Sequence, residues 1–327
     1  MKLFLLGIAG AGLALLAQAP RATVSSQVGT AILGFMAGSA PLELRAILGV
    51  FGAARISQPV AVPRTVTRLY LSARQQYALV EQGSGAPLAV WSLDETVLLD
   101  RQAGDDGLVA IAGALPHPDL VAFSPRGDSV ALYSSASRQL QVISGMPDKA
   151  FLKKTPPLES PMTITMIALT DDASMVVTKD SVGQVQISSG DTSWRPFYGA
   201  YSPLAWTFVP KTHDLIVSDF LENAVFLIEH ADAKTARAVL AENCPPDQLA
   251  VTSTGETLAA LDSKRSILWT IDLKSRIPAI TKSVPNLDSL ATLRNGNTFL
   301  ASSHTASPTL LKLSDSGAVL TTAIGGR

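Results

Sequence analysis

The sequence predicts an all-β fold, a β-propeller of six or seven four-stranded antiparallel blades. Six times an apolar strand runs into a short turn and a second apolar strand, with the turns at Ser72, Ser124, Thr170, Val209, Thr252 and Leu293, 39 to 52 residues apart. Self-similarity at such a period marks a propeller or a solenoid. In every copy the sixth and seventh residues after the turn residue are both apolar, from Ala78 and Leu79 to Phe299 and Leu300. Adjacent strand residues point to opposite faces, so this strand is buried on both sides, as in a blade packed between neighbours.

The elements follow in order along the chain. Met1 and Lys2 precede an apolar run from Leu3 to Leu16, and Ala17-Gln18-Ala19 has the small-residue spacing of a cleavage site. Residues 1–19 therefore read as a secretory signal peptide, with Pro20 an awkward residue after the cut, and residues 20–29 as a short linker. The expected location is the periplasm or the extracellular side, with no stable membrane span after leader cleavage. From 30 to 52 the chain reads as a hairpin turning at Ala37 to Pro41, two outer strands of a blade that close the ring. Residues 66–324 hold the six copies, so 30–327 is one propeller domain.

Within a copy, a third strand follows about eighteen residues after the turn residue and carries Trp91, Ile143, Ile187, Phe226, Trp269 or Leu311. Trp91 and Trp269 are expected between blades, where a large ring is buried. A less regular fourth segment follows, as in LVAIAG from Leu108 and AVLTTAI from Ala318. Composition agrees: 47% hydrophobic residues against 16% charged supply a core without disulfides, since Cys244 is the one cysteine and reads as a small hydrophobe near a loop.

The stretch FSPRGDSVALY resembles the SPDG turn of YVTN-type propellers, and VWSLD from Val90 and LWTIDL from Leu268 resemble the end of a WD-repeat blade. The resemblance covers about residues 66 to 324 and implies the propeller fold. No Gly-His dipeptide opens a blade, so the Asp-His-Ser/Thr network of WD repeats is not implied.

Function is far less legible. His117, His213, His230 and His304 occupy different repeat positions without a second histidine at ligand spacing, and HExxH, C-x-x-C, P-loop and Gly-x-Ser-x-Gly motifs are absent from the sequence. A net charge of −1 with dispersed Lys and Arg argues against nucleic acid. One aligned position is rich in oxygen: five residues before the turn, the inner strands begin with Thr67, Asp119, Thr165, Leu204, Asp247 and Asp288. These residues are expected to ring one mouth of the axial channel. They could bind a polar ligand or a hard divalent cation, or simply cap the turns that enter the strands. Trp194, Phe197, Tyr198 and Tyr201 form an aromatic stretch in a loop on the same side, a stacking platform or rim packing.

The leading expectation is an exported, non-catalytic platform that presents one face to a protein or a small polar ligand, with no cofactor. The alternative is a metal-dependent propeller hydrolase or lactonase using the Asp-lined mouth.

Overall fold

The computed structural model describes residues 31–37, 42–94, 107–158, 162–190, 193–233, 236–283, 287–302, 308–313 and 319–324. The leader, the linker and the Ala37–Pro41 turn apart from Ala37 lie outside the described residues. Seven antiparallel sheets follow one another along the chain, six of them four-stranded. They are the blades of a seven-bladed β-propeller.

Each of the six sequence copies builds one blade. The inner strands are Val66–Leu71, Leu120–Phe123, Ile164–Leu169, Pro203–Phe208, Gln248–Val251 and Ser289–Thr292. The strands after them, such as Ser129–Ser134 and Thr257–Asp262, are buried along their whole length, because both of their faces meet a neighbouring blade.

The repeat has a hydrogen-bond cause. In all six copies the N–H of the turn residue bonds to the carbonyl five residues on, as in Ser124 to Ser129 O at 2.9 Å and Leu293 to Thr298 O at 2.8 Å. Ser124, Thr170 and Thr252 also accept, on their side-chain hydroxyls, the N–H five residues on at 3.1 Å. Where the turn residue is Val209 or Leu293, a neighbour substitutes: Thr212 Oγ1 takes the Asp214 N–H at 3.0 Å, and Asn295 Oδ1 takes the Thr298 N–H at 2.9 Å. A tight turn thus stays satisfied even where the hydroxyl is lost.

Successive turns also lock blade to blade. Ser253 N–H donates to Gly296 O at 3.0 Å, and a Cβ on Gly296, whose φ is +72°, would lie 2.3 Å from Ser253 Cβ. Only glycine combines that left-handed backbone with such an approach.

The N-terminal segment departs from expectation in two respects: it holds a third strand, and the two strands of the expected hairpin are not the outer pair of their blade. The hairpin is present as Ile32–Ala37 and Leu44–Leu48, but a third strand, Arg55–Val60, extends it beyond residue 52. It is therefore a blade of its own, and the count is seven. Its place in the ring is fixed at both sides. Arg294 N–H, in the turn of the last blade, donates to Leu33 O at 3.1 Å. Phe35 N–H donates to Gln75 Oε1 at 2.6 Å, and Gln75 Nε2 returns a bond to Phe35 O at 3.1 Å. In the other blades these contacts belong to the inner turn and the start of the second strand. The three strands therefore match the second, third and outer strands of a blade, and an apolar cavity of about 440 Å³ lies between Ala37, Leu42 and Leu44 of this blade and Leu69 and Leu71 of the next.

Candidate functional site: the channel mouth and its rim

The inner strands converge on an axial channel whose walls are mixed polar and apolar. At one end a cavity of about 410 Å³ is lined by Ile167, Trp206, Leu249 and Leu290, with Thr165, Leu204 and Asp247 at its edge. Three residues of the oxygen-rich position thus meet at one mouth. Trp206 was legible in the sequence only as a strand residue; ring convergence turns it toward the channel.

The oxygen atoms of that position are largely engaged at home. Asp119 Oδ2 accepts the Ser135 N–H at 2.5 Å and the Ser135 hydroxyl at 2.6 Å, which holds its carboxyl below the usual carboxylate range. Asp247 accepts the Ser263 N–H at 3.0 Å and the Ser263 hydroxyl. Thr165 donates to Lys179 O at 3.2 Å and Thr67 to Glu81 O at 3.4 Å. Asp288 engages through its backbone, its N–H to Ser302 O at 3.0 Å and its carbonyl to Gln248 Nε2 at 2.7 Å. Each of these bonds joins an inner strand to a neighbouring segment of the fold. Among the described residues, no group of three His, Cys, Asp or Glu side chains is placed to hold a metal ion. Accordingly, Asp247→Ala should cost about 1 kcal/mol, the worth of one capping interaction. Calcium at millimolar concentration should leave the melting temperature of both proteins unchanged; a calcium-dependent rise confined to the native protein would reverse this reading.

A second polar cluster sits between the first two of the six repeats. Glu81 is buried, and its Oε1 accepts the Tyr70 hydroxyl at 2.5 Å and Arg68 Nη1 at 3.4 Å, while His117 Nδ1 lies 3.0 Å from Oε2. Burial, then the bond to Glu81, pushes the Tyr70 hydroxyl up to about 12, so it remains a donor. Arg68 and His117 are exposed at the mouth, where they can donate to a polar ligand. Nothing in the sequence pairs residues 81 and 117, which come from different blades.

The aromatic stretch divides. Trp194 and Phe197 are buried in two inter-blade cores, Trp194 with Leu140 and Ile164 and Phe197 with Val217 and Ile228. Arg195–Pro196 between them forms the outer strand of its blade, so this part of the segment is sheet rather than connection. Tyr198 and Tyr201 are 81% and 62% exposed, and the Arg237 guanidinium lies 5.9 Å from the Tyr201 ring centre.

Tyr201 has exposed apolar neighbours on the mouth side. Phe220 and Leu221, in the turn after the second strand of the same blade, are 60% and 71% exposed, and Val182 in the equivalent turn of the preceding blade is 66% exposed. Leu204 adds to them at the start of the inner strand. The loops are held by fully buried Asp219: Oδ2 accepts the N–H groups of Tyr201 at 2.7 Å and Ser202 at 2.8 Å, and Oδ1 those of Leu221 at 3.0 Å and Glu222 at 3.2 Å. Asp180 does the same for Val182 and Gln184 in its own blade. A carboxylate satisfied by backbone amides makes these loops stiff. The aligned Asp180, Asp219 and Asp262, ten residues after the turn position, were the available sequence signal for it.

Cys244 is buried, and burial with the nearby Asp262 charge raises its thiol to about 12, which leaves it inert as a nucleophile.

No family model matches the chain, and no curated protein matches it. Solved structures do. A periplasmic gluconolactonase of Pseudomonas aeruginosa superposes with a TM-score of 0.54 at 14% identity, covering 90% of this chain and 95% of that one. A functionally unknown protein from Desulfotomaculum acetoxidans gives 0.54 at 13% identity over 91% of this chain and 100% of its own. A Lactobacillus plantarum protein gives 0.55 at 13% identity over 90% and 95%. At such identities the likeness is one of fold.

Proposed function

We propose that the protein is a binding platform whose mouth face docks an apolar segment of a protein partner. The observation that supports this is the set of exposed Val182, Tyr201, Leu204, Phe220 and Leu221 side chains on two adjacent blades, all but Leu204 on loops clamped by Asp180 and Asp219. Large apolar groups held rigidly in solvent lose little entropy on binding, and a contiguous set of them marks an interaction surface. Arg68 and His117 elsewhere on the rim supply polar contacts for orientation. The leader-like start favours export, and so a partner in the periplasm or outside the cell. The turn likeness to YVTN-type propellers fits the same reading.

The test is a peptide library selected on the native protein, with the Phe220→Asp, Leu221→Asp double variant as comparison. Selected peptides should be rich in apolar residues and bind the variant at least tenfold more weakly, about 1.4 kcal/mol, while the melting temperature stays within a few degrees. Peptides that bind both proteins equally would move the docking surface elsewhere.

A further inference from the structure

On the opposite face, two turns between inner and second strands and one turn between third and outer strands bring together three residues separated in sequence. Ser174 and His213 occupy the same position, four residues after Thr170 and Val209, in adjacent blades. Ser174 Oγ lies 3.0 Å from His213 Nε2, and His213 Nδ1 lies 3.4 Å from Asp232 Oδ2. Asp232 comes from the turn between third and outer strands of the His213 blade. We propose that Ser174, His213 and Asp232 form a nucleophilic site for carboxylic esters, open-chain or cyclic, distinct from the mouth-face platform.

The chemistry follows from the order of atoms. Asp232 beside Nδ1 holds the proton on that nitrogen, so the Nε2 lone pair faces the serine hydroxyl. Ser174 Oγ attacks the ester carbonyl carbon, an O–C bond forms, and the hydroxyl proton moves to Nε2. The tetrahedral intermediate collapses with cleavage of the carbonyl–alkoxy bond, and the leaving alkoxide takes the proton back from Nε2. Water, deprotonated by the same nitrogen, then releases the acid and restores Ser174.

A fourth group shapes the site. Asp172 Oδ1 accepts the Ser174 hydroxyl at 2.7 Å, and also the Thr170 hydroxyl at 2.6 Å and the Ser174 N–H at 2.9 Å. Two donors therefore remain when the Ser174 hydroxyl turns to His213, so the turn costs the carboxylate little. Burial opposes its charge, but those donors and His213 hold the Asp172 carboxyl well below the usual range, so it stays anionic. Its Oδ2, 3.7 Å from Nε2, faces the imidazolium formed in each proton transfer. Lys153 Nζ, bonded to Ala173 O at 2.8 Å, brings a cation to the residue before the nucleophile. His213 and Asp232 are partly exposed, which admits small esters rather than enclosing large ones.

The test needs no variant to begin. Native protein is treated with a fluorophosphonate probe and digested, and the adduct is located by mass spectrometry. The expected adduct is on Ser174, absent in Ser174→Ala and formed at least tenfold more slowly in His213→Gln, with p-nitrophenyl acetate hydrolysis falling in parallel. Asp232 acts by positioning: Asp232→Asn should slow labelling at least tenfold with the adduct still on Ser174 and the melting temperature unchanged, and Asp232→Glu should restore part of the rate. An unlabelled Ser174 in folded native protein, or labelling no faster than in urea-unfolded chain, would overturn the assignment. Neither outcome bears on peptide binding at the other face.

Discussion

Trp91→Ala should lower the unfolding free energy by about 4 kcal/mol, the range for truncating a fully buried large aromatic side chain. Trp91 is 0% exposed and packs with Phe35, Leu44, Val80 and Leu93, so its ring fills the seam between the N-terminal blade and the next. The loss has two parts: the transfer free energy of the indole, and the contacts that its surroundings lose around the cavity left behind. Both neighbours are sheets whose strands are pinned by ladders, which limits collapse into the space. Urea titration followed by tyrosine and tryptophan fluorescence measures the effect. A loss under about 1 kcal/mol would mean that the seam is loosely packed.

Gln75→Leu should destabilise by about 2–4 kcal/mol although the side chain is of similar size. Gln75 is 3% exposed, and both ends of its amide bond the Phe35 backbone across the blade seam. Leucine leaves that N–H and C=O buried without partners, at about 1–3 kcal/mol each. Because the two blades are joined there, amide exchange should rise most at Phe35 and its strand. A uniform rise across all blades, or none, would contradict a local seam. Gly34 sharpens the expectation: a Cβ there would lie 2.5 Å from Gln75 Oε1 and 2.6 Å from Leu293 Cδ2, so three blades meet at one point.

Much of this architecture is legible in the chain because a propeller repeats its solution. The Ser124 and Thr252 turns, the doubly apolar second strands and Trp91 and Trp269 between blades all follow from local bonding and two-sided burial. The Arg55–Val60 strand was missed because RISQPV is half polar, partly exposed and contains a proline, as an outer edge strand tolerates. Arg195–Pro196 was hidden for a similar reason, two exposed residues between buried Trp194 and Phe197.

The sites were harder to read. Aligning copies correctly placed Asp119, Thr165 and Asp247 at the starts of inner strands, but composition does not reveal that the Asp119 and Asp247 carboxylates turn to Ser135 and Ser263. Likewise, Glu81 with His117 and Ser174 with His213 are 36 and 39 residues apart, where no short motif spans them.

The sequence by itself determined the repeated strand and turn unit, and hence the ring, because each copy satisfies its own backbone and buries its own faces. What faces a cavity, which carboxylates clamp loops, and which hydroxyl meets which imidazole were decided by the tertiary structure. The imidazole contacts form between blades and the loop clamps across the strands of one blade, so their distances depend on how strands and sheets pack together rather than on any residue's neighbours in the chain.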